Sequence, residues 1–203
     1  MNILIKPVFN YKKGRDSFRP EIIVIHIGEG TAKQIYQTFQ AEEKSSHYLV
    51  CKNREVWQFV EDEDTAWANG TKVNPTAKYV LERPEVNPNL YSLSIENEGF
   101  TGDTIYESQY IDNADLVLEL CEQWKIPLDE NHIIPHNKIR ADKRCPLPIS
   151  VERILKLAQE KKAFQQKPPE EKIEELKKVQ ISILRKILSV LQEKLKLLLN
   201  RKT

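Results

Sequence analysis

The side chains best suited to chemistry lie in the stretch 133–148, IIPHNKIRADKRCPLP, where His136 and Cys145 stand nine positions apart with Lys143 between them. Thiolate and neutral imidazole are side chains that zinc prefers, and a catalytic zinc keeps three protein ligands with one position open. One more ligand is therefore needed. His26 is the candidate, because it closes the β-branched run IIVIH and can project from a strand end into a cleft. A carboxylate inside a β-prone run is costly unless it has a partner or a task. That adds Glu96 of SLSIENEGF, although Glu98 shares its strand face. His132, four residues before His136, competes for the ligand role. A single histidine ending a buried strand is more often structural, so the combination carries the reading.

Strands and helices must bring these groups together. The run 21–27 is dense in Ile and Val, as a central strand covered on both faces requires. Thr31 then caps a short helix to about Gln40, with Ile35 and Phe39 on one stripe. The segments 47–51 (HYLVC) and 55–60 (EVWQFV) flank Lys52-Asn53-Arg54 and predict a hairpin, with His47 structural. From Glu61 to Asn89 the chain is polar and broken by Gly70, Pro75, Pro84 and Pro88, which predicts one long surface loop near the site. A strand over 92–99, a core helix over 107–124 and a helix capped by Ser150 complete an α/β class: a mixed central sheet flanked by helices, plus a separate C-terminal amphipathic helix. Cys51 and Cys121 fall on apolar faces and read as core thiols.

With 203 residues and 40% hydrophobic content, the chain has room for one ordinary domain and an appendage. Its charges nearly cancel to +1, which gives no reason to expect nucleic acid as partner. No stretch approaches the roughly 20 apolar residues of a membrane span. Lys6 and Pro7 interrupt the apolar start, so no signal peptide is read and the chain is expected to be made in the cytoplasm. Three cysteines without framework spacing argue for reduced thiols. Composition divides the chain into a domain over 1–164, a proline-containing linker over 165–170 and a helix over 171–203. In that helix Ile181, Leu184, Leu188, Leu191, Leu195 and Leu198 follow the 3,4 spacing of a coiled-coil seam, and Ile183, Ile187, Val190 and Leu197 form a second seam, interrupted by Lys194. A homo-oligomer through this helix is expected. Its basic residues, Arg201 and Lys202 among them, leave an anionic membrane or envelope surface as the first alternative, with packing on its own domain as the second.

VIHIGEG, SSHYLV, AWANG, YSLSIENEG and PHNKIRADKRCP occur in an order that resembles the zinc-dependent N-acetylmuramoyl-L-alanine amidases of phage endolysins and autolysins, relatives of peptidoglycan recognition proteins. The likeness spans roughly residues 1–160, so the 1–164 domain is expected to be the zinc amidase catalytic domain. The resemblance implies one zinc ion on His26, His136 and Cys145, Glu96 as catalytic carboxylate and Lys143 as the cation near the last ligand. It also implies that Trp67 and Asn69 bind substrate, although Trp67 can equally cover the core. Two positions depart from the pattern. Ala68 stands where many relatives have histidine, and Ser46 where some have a catalytic tyrosine, which shifts weight onto Glu96. The implied function is cleavage of the amide between N-acetylmuramic acid and L-alanine in peptidoglycan. A phage or prophage endolysin that reaches the cell wall through a phage-encoded pore comes first. A non-catalytic peptidoglycan-binding module and a cytoplasmic muropeptide-recycling amidase are the alternatives.

Overall fold

A computed structural model describes residues 3–200, with the side chains of residues 195 and 198–200 left outside that description. The described residues form eight strands: β1 (Ile3–Ile5), β2 (Tyr11–Lys12), β3 (Ile22–Ile25), β4 (Tyr48–Val50), β5 (Val56–Gln58), β6 (Thr65–Ala66), β7 (Ser92–Asn97) and β8 (Ile133–Pro135). Six of them make a sheet in the order β1-β5-β4-β7-β3-β8, and β2 pairs with β6 separately. All neighbours in the large sheet run parallel except β4 and β5, which form the expected hairpin. The sheet is therefore mixed, and five helices accompany it: α1 (Ala32–Ala41), α2 (Lys78–Leu81), α3 (Glu107–Trp124), α4 (Val151–Gln166) and α5 (Pro169–Asn200).

β3 explains the apolar run. Its four residues are fully buried, with Ile23 and Ile25 packed in one cluster beside residues of α3 and Ile22 and Val24 in another with Val80, Tyr91 and Ile139. A strand covered on both faces shows no polar alternation. Thr31 caps α1 by accepting from the Gln34 N–H, and the Ser150 hydroxyl accepts from the Arg153 N–H at 3.1 Å at the start of α4. Both caps follow the preference of hydroxyl side chains for orphan N–H groups.

The segment 61–89 corrects the expectation of one loop. It contains β6, α2 and the start of a 3-10 turn over Pro88–Leu90. These pieces are too short to show periodicity, and distant contacts hold them. The Lys72 ammonium donates to the carbonyls of Arg83 and Val86 at 3.2 and 3.1 Å. Arg15 does more. This guanidinium, 5% exposed, donates to the carbonyl of Asp62 at 2.6 Å, to those of Leu90 and Ser92 at 3.1 Å, and to His47 Nε2 at 2.8 Å.

The chain divides into two compact units, Met1–Glu160 and Lys161–Thr203. In the second, α4 ends at Gln166 and α5 opens at Pro169, whose missing N–H costs nothing in the first helical turn. Along α5 the seam residues Ile181, Leu184, Leu188 and Leu191 are each about half exposed, at 49% to 58%. The Leu195 and Leu198 side chains, with Arg201 and Lys202, lie outside the described residues.

Candidate metal centre and active site

The parallel register builds the site. Ile25 of β3 is level with Ile95 of β7 on one side and with Pro135 of β8 on the other. The next residues are His26, Glu96 and His136. Three adjacent strands thus deliver their chemical groups at one level, at their carboxyl ends, where open α/β sheets place ligands. The main chain of His26 is pinned there: its N–H donates to the Ile95 carbonyl at 2.8 Å and its carbonyl accepts from Asn97 Nδ2 at 3.2 Å. Gly28 lets α1 close over this end, because a Cβ there would stand 2.4 Å from Ile35 Cδ1. Cys145 arrives from the loop after β8, with the Ile27 N–H donating to its Sγ at 3.3 Å.

The donor atoms of His26, His136 and Cys145 lie within 4.8 Å of one another. The two imidazole centroids are 4.4 Å apart, Cys145 Sγ is 3.8 Å from His26 Nδ1, and Glu96 Oε1 is 4.0 Å from the same nitrogen. His136 donates Nε2–H to the Asn69 carbonyl at 3.1 Å, which leaves Nδ1 free to bind. These groups line a cleft of about 360 Å³ together with Lys143, Glu29, Thr101 and Ala68.

Burial decides the charges. It lowers the pKa of His26, helped by the neighbouring His136, and lowers that of His136, so both imidazoles are neutral as metal ligation requires. Burial, then Glu96, pushes the Cys145 thiol up, and burial, then Glu29, pushes the Glu96 carboxyl up to about 8. A cation beside a thiol and a carboxyl favours their ionised forms. Two neutral imidazoles, a thiol and a nearby carboxyl therefore suit a divalent ion such as zinc, and the open cleft leaves room for a further ligand.

The structure brings His26, His136, Cys145, Glu96 and Lys143 together at this cleft. Glu98 is occupied elsewhere, accepting from the Lys52 N–H at 2.7 Å, and His132 pairs with Asp129 at 2.7 Å. Trp67 is 38% exposed beside Ala68, whereas Asn69 is fully buried and is not among the groups lining the cleft. Cys51, Cys121 and His47 are buried in the first unit. Sequence reasoning missed Glu29, which holds a positive φ of 50° and accepts from the Thr101 N–H at 3.2 Å. The glycines on either side of Glu29 were the available sign of a tight turn.

The family profile of N-acetylmuramoyl-L-alanine amidase matches residues 16–148. No match was found among curated protein sequences. Among solved structures, a selenomethionine derivative of AmpD superposes with a TM-score of 0.61 at 21% identity, covering 76% of this chain and 93% of that one. A mutant endolysin from Bacillus subtilis gives 0.58 at 19% identity, covering 78% and 99%. AmpDh3 from Pseudomonas aeruginosa, in complex with anhydromuramic pentapeptide, gives 0.58 at 20% identity, covering 70% and 60%. At such identities these likenesses speak for the fold, and it is the profile match over most of the chain that assigns it: this protein belongs to the N-acetylmuramoyl-L-alanine amidase family.

Proposed function

We propose that the chain hydrolyses the amide joining N-acetylmuramic acid to L-alanine in peptidoglycan, with one zinc ion held by His26, His136 and Cys145. The observation that carries this reading is the convergence of those donors, within 4.8 Å, beside a buried carboxyl in one cleft. Zinc supplies a Lewis acid that polarises a carbonyl and acidifies water. Glu96, which the neighbouring cation would hold in its ionised form, takes a proton from the attacking water and returns it to the leaving nitrogen. Lys143, exposed at the cleft, offers its ammonium to the oxygen that gains charge, a contribution of about 3 kcal/mol for one well-placed donor. Trp67 gives the substrate an exposed apolar face beside the cleft.

The first assignment is a phage or prophage endolysin, made in the cytoplasm and released to the wall through a phage-encoded pore. Likeness to a Bacillus subtilis endolysin and the basic, amphipathic α5 support it. A second reading, an amidase of released muropeptides, is supported by the anhydromuramic pentapeptide bound to AmpDh3. For α5 we propose a second copy of the helix as partner. Two exposed apolar seams forfeit roughly 1.5 to 3 kcal/mol for each large side chain left in water, and two seams per helix suit a bundle. An anionic membrane or envelope surface is the competing occupant.

Purified sacculi treated with the zinc-loaded protein test the bond assignment. Mass spectrometry is expected to find free L-alanine amino termini, and new glycan reducing ends in their place would overturn it. Protein bound to sacculi without any product identifies a binding module. Clearing of the suspension supports the endolysin, whereas turbid sacculi with turnover of free anhydromuropeptides support the recycling amidase.

A further inference from the structure

Asn69 was expected to touch substrate, yet it is fully buried and three of its four polar groups bond to other parts of the protein. Its N–H donates to Asn89 Oδ1 at 3.0 Å and its Nδ2 donates to Ser92 Oγ at 2.8 Å. Its carbonyl accepts the His136 Nε2–H at 3.1 Å. Only Oδ1 remains. That oxygen is buried without a partner at hydrogen-bond distance, and so is the other unsatisfied polar atom of the histidine pair, His26 Nε2. One of these atoms is an acceptor and the other can be a donor. The two imidazole centroids are 4.4 Å apart, so the residue that holds His136 also lies near His26. On the opposite edge of the ring, His26 Nδ1 faces Cys145 Sγ at 3.8 Å.

We propose that Asn69 is a positioning residue for both metal-binding imidazoles: its main-chain carbonyl holds His136 by Nε2–H, its side-chain Oδ1, unbonded in this structure, takes the His26 Nε2–H when the ion is bound, and both rings present Nδ1 to the ion. A ligand histidine whose second nitrogen donates to a fixed acceptor keeps one tautomer and one ring orientation. Here one residue fixes two rings. Ser92 sets the amide so that its oxygen points away from the hydroxyl, and Asn89 fixes the main chain. Asn89 is in turn tied to Arg15, which donates to its carbonyl at 3.3 Å. The chain thus links the buried arginine to the ligand pair. The inference rests on the zinc reading above.

The test uses full-length protein with nitrogen-15 in its histidine rings, loaded with one equivalent of zinc. In the wild type, both His26 and His136 are expected to be Nδ1-coordinated, with slowly exchanging Nε2–H protons. Asn69→Leu keeps the volume but lacks the oxygen. It is expected to bind zinc roughly 10- to 100-fold more weakly in a chelator competition, the range for losing such a partner, and to lose protection at His26 but not at His136. Asn69→Asp restores an acceptor and is expected to restore affinity. Coordination through Nε2 in the wild type overturns the proposal even if the leucine variant fails to fold. So does wild-type affinity in Asn69→Leu, or equal weakening in Asn69→Asp. A wild type that takes up no zinc overturns the metal reading as well, which separates the two failures.

Discussion

Burial and the nearby Glu29 raise the Glu96 carboxyl to about 8 and its Oε2 has no partner, so the proposed base depends on the adjacent cation for its ionised form. Glu96→Gln keeps the shape and removes the proton acceptor, so zinc content is expected to stay at wild-type level while turnover falls by roughly 10²- to 10⁴-fold. Unchanged turnover would move the base to another residue. His47 gives a pH prediction of a different kind. Burial first, then the Arg15 charge, lowers its pKa to about 3 in the fold, against an unfolded value of 6.5. Between those values the unfolded chain binds the extra proton, so the stability His47 contributes is full above 6.5 and falls as pH drops. Urea unfolding at pH 7 and pH 5 should show a loss larger by about 2 kcal/mol in the wild type than in His47→Asn. Equal losses would contradict this. Ligand candidates were legible in the sequence because zinc chemistry restricts residue type. Asn69 was legible only as part of a motif, since nothing in AWANG says that its carbonyl and amide face inward. Arg15 was invisible for a similar reason: all its partners but His47 are main-chain carbonyls, which have no residue signature.

At the level of elements, the strands carrying Ile-rich runs and the capped helices were readable from composition and hydroxyl position. The register was not. Pairing of Ile25 with both Ile95 and Pro135 is what sets His26, Glu96 and His136 in one row, and a three-residue strand such as β8 leaves no periodicity to read. The pieces of 61–89 are held by side chains from far away, which is why local sequence read them as loop. Arg15 is the main such device. Arg15→Ala leaves several buried carbonyls without donors, at a cost of about 3 kcal/mol or more. Lysine should not rescue it, because a single ammonium cannot reproduce the planar fork. Chemical unfolding of both variants checks this, and a loss below about 1 kcal/mol would show that water or other donors replace the clamp.

At the scale of the whole molecule, the family match lies over residues 16–148 and α5 lies beyond it. Among the described residues no helix is long and apolar enough to cross a membrane. The exposed seams of α5 are the basis of the proposed association. Light scattering should give a multiple of the 23.7 kDa chain mass for the full protein and a monomer for a chain stopped after Gln166. Monomers in both cases would remove the oligomer and direct attention to anionic vesicles as the partner of the helix. The metal centre is tested most directly by X-ray absorption at the zinc edge on the full, zinc-loaded chain. Two imidazole nitrogens and one sulfur in the first coordination sphere, at one zinc per chain, is the expected result, given three donors within 4.8 Å. A sphere without sulfur, or with a single imidazole, would contradict it.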